Sequence, residues 1–340
     1  MHLNLLPPLD PTPLLPLRHP FLRLHQLGHP PPRPVSSRHP RGHRRSPERN
    51  HIHPARRNPL RLILSRRRCG RRGPRARRAA LRDLPGRGKG LVATRPVARR
   101  AVLMVDWAAL LVDAEFPQRV RRALGREMLM EAIGGLERGG REVVLGLARS
   151  SSDPGGVLAA EDVVKMNSFS VDLGGRSFMA LFPRISRMNH ACKPSASTRF
   201  DMQTLSSTVT TFHQPGEETT ISYADWGLTY PERQRVLKQK WGFDCACFLC
   251  SSSAEEIAES DARRKAISRL GKEVLVQVEE RNYKKAIKLN REMLVALEDE
   301  ALVPHMGDYY EVMTRLYGAL PDIDNAKMFA KLALEDLGVS

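Results

Sequence analysis

The sequence predicts an α+β protein with a helical C-terminal region, on three observations. Residues 1–80 hold 19 Arg, 15 Pro and no Lys, with only Asp10 and Glu48 as acids. Short β-like runs bounded by Gly and Pro fill much of the stretch from 86 to 223. Beyond 254 the apolar residues recur at helical spacing. The expected divisions are an Arg/Pro-rich tail over 1–80, a β-rich domain with a helical insert over 81–252, and a helical region over 253–340.

The charge follows the same division. The formal net charge is +18, and residues 1–80 supply all but one of those charges, so the remainder is nearly neutral. A segment this rich in Arg and Pro buries too little apolar surface to offset its ordering entropy, and it is expected to be disordered. Its charge suits contact with nucleic acid or an anionic membrane through counterion release, with no base readout, because "SRRRCGRRGPRARR" offers almost no stacking groups; the contrasting reading is a solvated tail without a partner. Arg-rich, acid-poor N-termini also occur in transit peptides, but Pro7, Pro8, Pro11, Pro13, Pro16 and Pro20 oppose the amphipathic helix these need.

The remaining elements follow in chain order. "GRGKGLVATRPVARRAVLMVD" (86–106) reads as a glycine-rich turn and short strands, with Val92, Val97 and Val102–Val105 as apolar positions. Residues 117–165 read as helices interrupted by loops such as "SSSDPGG". "NSFSVDL", "SFMALF", "ASTRFDM", "STVTTF" and "TTISY" are strand candidates, with a turn at Pro215–Gly216 between the last two. Ile267, Leu270, Val274 and Val278, then Ala286, Leu289 and Met293, mark helices. "RNYKKAIKLNREMLVAL" and "DIDNAKMFAKLALEDL" resemble each other, a hint of tetratricopeptide-like helix pairs. No apolar run is long enough to span a membrane.

Cysteine placement carries the first chemical signal. Cys69 lies in the tail, and the other four lie between 192 and 250. Cys245, Cys247 and Cys250 form a C-x-C-x-x-C turn, one ligand short of a tetrahedral thiolate site, and Cys192 of "RMNHACKP" is the remaining cysteine of the folded part. A Zn2+ site of Cys192, Cys245, Cys247 and Cys250 is therefore expected, in a reducing compartment such as nucleus or cytoplasm. That assignment leaves Asn189 and His190 for other work.

"GRGKGL", "NSF", "RMNHACKP", "GEETTISY" and "WGFDCACFLC", in this order, resemble the SET-domain protein lysine methyltransferases. The likeness is to the SET-and-MYND group and its fungal relatives, over roughly residues 84–252. Three departures stand out: the MYND finger cysteines are absent, Ser195 stands where the family usually has Asn, and Trp241 stands where relatives often have Tyr.

The resemblance implies a SET-type fold with a pseudoknot, a post-SET zinc knuckle, and S-adenosyl-L-methionine as methyl donor. Carried over by residue, it implies donor contacts at Arg87, Gly88, Lys89, Gly90, Asn167, Ser186, Asn189, His190 and Phe243. It further implies Tyr223 as the catalytic hydroxyl and Trp241 with Phe243 as the lysine channel. The implied reaction is methylation of a histone or other protein lysine by a monomeric enzyme with no membrane partner. A catalytically silent scaffold, binding partners through the helices and nucleic acid through the tail, is the contrasting reading. Intact Asn189, His190 and Tyr223 favour the enzyme; the missing finger and Ser195 favour the scaffold.

Overall fold

The computed structural model describes residues 78–98, 101–149, 157–201, 206–211 and 217–336. The expectations for residues 1–77, for Cys69, for most of the "SSSDPGG" loop and for the Pro215–Gly216 turn lie outside these residues. The described chain opens with a strand two residues inside the stretch assigned to the tail: β1 (Ala79–Leu84) pairs antiparallel with β2 (Gly88–Ala93). Arg78 also belongs to the fold, since its carbonyl accepts from Thr94 N and its guanidinium donates to Val102 O.

Three small sheets follow. β3 (Ala101–Trp107) and β4 (Leu110–Asp113) precede a helical insert of α1 (Phe116–Arg119), α2 (Arg122–Gly134), α3 (Arg138–Leu145) and α4 (Val157–Asn167). β5 (Ser168–Leu173), β6 (Arg176–Leu181), β7 (Asn189–His190), β8 (Ala196–Asp201), β9 (Ser206–Thr211) and β10 (Glu218–Ile221) complete them. The sheet orders are β1-β2-β10-β7, β3-β9-β8 and β4-β6-β5. Val97, expected in a strand, is buried in the loop before β3.

The β4-β6-β5 sheet divides two apolar cores. Side chains alternate across a strand, so Leu111, Ala180 and Phe182 join Leu91, Leu103, Met104, Ile185, Met188 and Ile221. Leu110, Val112 and Leu181 instead meet Phe116, Leu129, Ile133, Val144 and Val163 of the helical insert. All four residues of β4 are buried, which explains the apolar run Leu110–Val112, and Asp113 closes the strand by accepting from Glu115 N at 2.8 Å. Each fully buried Leu or Ile contributes about 1.5–3 kcal/mol.

The C-terminal part begins with α5 (Tyr230–Trp241). Thr229 N donates to Glu232 Oε2 at 2.8 Å in a capping box, and Gly242 ends the helix at φ 80°, a conformation that favours glycine. The Cys245–Cys250 turn lies between this end and α6 (Ala254–Glu279), which Ser253 caps through Glu256 N. α6 packs on α7 (Tyr283–Asp299), α7 on α8 (Met306–Ala319), and α8 on α9 (Ile323–Asp336). The two similar segments form α7 and α9, the second members of successive helix pairs. Ile267, Leu270, Val274, Ala286, Leu289 and Met293 are buried as expected, whereas Val278 is half-buried and Gln277 takes the buried position beside it.

Candidate active site and metal centre

Three segments distant in sequence meet at β2, β10 and β7. β10 pairs antiparallel with β2 and parallel with β7, Thr220 opposite Asn189 and Ile221 opposite His190. At this junction the Asn189 amide donates to Glu218 Oε1 at 2.7 Å and to Arg87 O at 3.3 Å. Arg87 Nε pairs with Glu218 Oε2 at 2.9 Å, and its Nη2 donates to His190 O at 3.0 Å. A Cβ on Gly90 would stand 2.9 Å from Asn189 Nδ2, 2.8 Å from Glu218 Oε1 and 2.5 Å from Leu84 Cδ1, so a larger residue here would have to push these side-chain ends aside.

Gly88 supplies the positive φ, 68°, that begins β2. Lys89 is exposed and pairs with Asp83 on the neighbouring strand at 2.9 Å. Asn167 and Ser186 form a separate group. The Asn167 amide donates to Ala148 O and Val163 O, both at 2.8 Å, and Ser186 Oγ donates to Asn167 O at 2.9 Å. Ser195, one of the departures from the family pattern, accepts from Thr220 N at 2.9 Å and thereby fastens the segment after β7 to β10.

His190 joins this polar group to an aromatic one. Its buried ring accepts from Tyr223 N through Nδ1 at 3.0 Å, which places the proton on Nε2, 3.3 Å from Cys192 Sγ. The Tyr223 ring lies 5.2 Å from Trp241, 5.5 Å from His190 and 6.5 Å from Phe243. Its hydroxyl donates to Met188 O at 2.7 Å. Burial, with a smaller contribution from the Glu218 charge, pushes the Tyr223 pKa up to about 12, so the hydroxyl keeps its proton at neutral pH. Trp241 Nε1 donates to Met166 O at 3.3 Å, tying α5 to the end of α4.

The four expected cysteines also converge. Their sulfurs all lie within 4.8 Å of one another, with Cys192 Sγ 3.5 Å from Cys250 Sγ and 4.0 Å from Cys245 Sγ. Tetrahedral zinc bound to thiolates at about 2.3 Å requires sulfurs about 3.8 Å apart, so the donor set fits a closed zinc site. The crowding has an electrostatic signature: the Cys192 thiol is pushed up chiefly through its hydrogen bond with Cys245, and the same contact holds Cys245 down. The turn is itself braced by α5, where the Gln234 amide donates to Cys245 O and its carbonyl accepts from Cys245 N, both at 2.8 Å.

Glu218 was not among the residues singled out from sequence. One acid of a Gly-Glu-Glu turn reads as a solvated charge, and its only local signal is its place at the opening of a strand whose next three residues are buried.

No family model matches the chain. Histone-lysine N-methyltransferase SMYD3 of Homo sapiens is 35% identical over 78 residues, 23% of this chain and 18% of the relative. Histone-lysine N-methyltransferase set5 of Schizosaccharomyces pombe is 35% identical over 86 residues, 24% and 27% of the two chains. The SET5 histone-lysine N-methyltransferase of Meyerozyma guilliermondii is 30% identical over 131 residues, 36% of this chain and 26% of the relative. The chain resembles SET-domain lysine methyltransferases. It spans less than a third of the length of each of these curated relatives. Among the described residues, no helix is long and apolar enough to cross a membrane.

Proposed function

We propose that this chain is an S-adenosylmethionine-dependent protein lysine N-methyltransferase acting on a histone or other protein lysine in the nucleus or cytoplasm. The observation that carries the reading is the position of His190. Its carbonyl accepts from Arg87 in the polar group, while its ring packs with Tyr223 and Phe243, and Cys192 of the thiol cluster follows two residues later. The parallel pairing of β7 with β10 and the return bond from Tyr223 N to His190 support a SET-type pseudoknot followed by a post-SET zinc knuckle.

Arg87, Glu218 and Asn189 present a cation, an anion and an amide within bonding distance of one another, which suits the zwitterionic amino-acid end of the donor. Gly90 lets the Glu218 and Asn189 side chains pack against the backbone of this loop, which Gly88 and Lys89 continue. Asn167 and Ser186 have their side chains engaged with carbonyls and would meet the donor through main-chain groups. When bound, the donor supplies an electrophilic methyl group on a sulfonium. Tyr223, Trp241 and Phe243 form apolar walls that strip water from the lysine stem and lower the lysine pKa, favouring the neutral amine that attack requires. The lysine proton leaves to solvent, since Tyr223 stays protonated and is not a base; its oxygen lone pairs accept from the amine and orient it.

The decisive assay supplies radiolabelled donor with histones and with a cell lysate, followed by mass spectrometry of the labelled products. Absence of labelled lysine in both would support the silent scaffold. Glu218→Gln is expected to weaken donor affinity about tenfold by calorimetry, because it breaks the charge pair that orients Arg87. Unchanged affinity would remove Glu218 from the donor site.

The basic tail is proposed as a nucleic-acid anchor. A truncation should begin at Arg78, which is needed to hold β1 and β3. Activity on a short peptide should persist, while DNA affinity should fall most at low salt. Equal binding by truncated and full chains across a salt titration would show that the tail is not the anchor.

A further inference from the structure

Arg233 of α5 and Arg264 of α6 are among the largest fully buried side chains, a rare place for a charge unless it is paired. Arg264 uses all three of its nitrogens. Nε donates to Glu300 Oε1 at 2.9 Å, Nη1 to Trp226 O at 2.8 Å and Nη2 to Cys192 O at 2.7 Å. Glu300, at the end of α7, is also fully buried and holds the guanidinium from the side away from the two carbonyls. Its other oxygen pairs with Arg263 at 2.8 Å and with Lys193 at 3.8 Å, and Arg263 also reaches Glu259 at 3.7 Å.

The two carbonyls belong to the segments that leave the candidate active site. β7 and β10 run parallel, so the chain leaves His190 and Ile221 at the same end of the pair. There Ala191 N donates to Ile221 O at 3.0 Å and Tyr223 N to His190 Nδ1 at 3.0 Å. Beyond these bonds the segments diverge: Cys192, two residues after His190, enters the thiol cluster, and Trp226, three residues after Tyr223, stacks on His305 with ring centroids 5.0 Å apart. Arg264 spans the divergence. Arg233 donates to Leu228 O at 2.7 Å and so anchors the same loop farther on, which leaves Arg264 as the tie nearer Tyr223. A planar guanidinium sends its two Nη donors in fixed directions, a geometry that a lysine ammonium does not reproduce. Because desolvation offsets most of the attraction in a buried ion pair, what such a pair adds is chiefly a defined geometry.

We propose that Arg264, held by Glu300, is a positioning residue that fixes Tyr223 relative to the Asn189–His190 segment, so that α6 and α7 belong to the catalytic unit. The inference rests on the lysine methyltransferase reading. Cys192 is also fixed by its neighbours in the thiol cluster, with Sγ 3.5 Å from that of Cys250. Loss of the fork therefore releases mainly the Trp226 end, and with it Tyr223, while Asn189 keeps its bonds to Glu218 and Arg87. The effect falls on the rate rather than on donor affinity, because a displacement of about 1 Å at a reacting centre can cost about 100-fold.

The test compares the full chain with Arg264→Lys, Glu300→Gln and Arg263→Gln by three readouts: initial rates of methyl transfer from radiolabelled donor to histones and to lysate protein, calorimetric donor affinity, and amide hydrogen exchange. Arg264→Lys keeps the charge beside Glu300 but loses the fork, and it should slow transfer about 10- to 100-fold with donor affinity within a few-fold. Its Tyr223 amide should exchange at least about tenfold faster while the amides of α6, α7 and α8 keep native protection. Glu300→Gln, which can still accept from Nε but without the charge, should show the same pattern with a loss of about 3- to 10-fold, and this arm decides the matter if Arg264→Lys fails to fold. Arg263→Gln gives up the pairs with Glu300 and Glu259 but touches neither carbonyl, and it should stay within about twofold of native in all three readouts. Rates in Arg264→Lys and Glu300→Gln no lower than in Arg263→Gln, or faster exchange spread equally through α6, α7 and α8, would leave Arg264 a stabilising role only and overturn the proposal. A native chain without methyl transfer would overturn the methyltransferase reading and this inference with it, whereas an active native chain with indifferent variants overturns the inference alone.

Discussion

Replacing Cys247 by Ser is expected to abolish stoichiometric zinc, lower the melting temperature and weaken donor binding together. Cys192 lies two residues after His190, and Cys245 lies two residues after Phe243, so one ion would tie the segment carrying Asn189 and His190 to the aromatic walls. The Cys192 carbonyl is also held by Arg264, so loosening of the cluster reaches α6 as well. Structural zinc contributes to folding directly, and a loss of about 3 kcal/mol or more is expected. For a folded unit of this size that lowers Tm by roughly 6 °C or more. Donor affinity should fall at least about tenfold, since disordering β7 removes Asn189 from Glu218 and Arg87. Metal content, thermal melting and calorimetric donor titration measure the three effects. A chelator applied to the native chain should reproduce them, and added zinc should reverse them. Undiminished donor affinity after the metal is lost would separate the two sites.

What could be read from sequence follows from how local each signal is. The cysteine tetrad was legible because a closed zinc site needs four ligands and the folded part offers four thiols. The α6 and α7 stripes were legible because burial at Ile267, Leu270, Val274, Ala286 and Met293 follows the helical period. β7 was not: two residues have no periodicity, and Asn189 and His190 become a strand only through Thr220 and Ile221 on β10. β1 was hidden by composition, because Ala79 and Ala80 follow a run of arginines and pair with Val92 and Ala93 only in three dimensions. Glu218, Arg233, Arg264 and Glu300 read as ordinary surface charges, and only their partners from remote segments reveal why they are buried or half-buried. The site residues thus divide into those with a fixed spacing, which sequence exposes, and those that hold them in place, which it does not.

Tyr223→Phe is expected to cut methyl transfer by about 10- to 1,000-fold while donor affinity stays within a few-fold, because one oriented hydroxyl acts mainly on the transition state. The Phe ring retains the contacts with Trp241, His190 and Phe243, so the channel walls persist. Its lost donor leaves the buried Met188 carbonyl without that bond, costing about 1–3 kcal/mol of stability. The pH dependence separates the two consequences. Because burial raises the Tyr223 pKa from 10.0 to about 12, its contribution to stability is fully present below pH 10 and is lost as pH rises through about 12. The native chain should therefore lose more stability at alkaline pH than the Phe variant, in which buried Tyr309, its pKa also raised by burial, still contributes. Between neutral pH and about 10 the hydroxyl does not titrate, so the rate rises with the neutral fraction of the substrate lysine. Single-turnover rates, donor titration and alkaline melting curves on both proteins test each point. Native turnover in the Phe variant would remove Tyr223 from the reaction, whereas a rate loss matched by an equal loss of donor affinity would make its role one of binding. A rate loss with donor affinity preserved leaves positioning of the amine as the role of the hydroxyl, since Tyr223 is protonated throughout that range and cannot serve as the base.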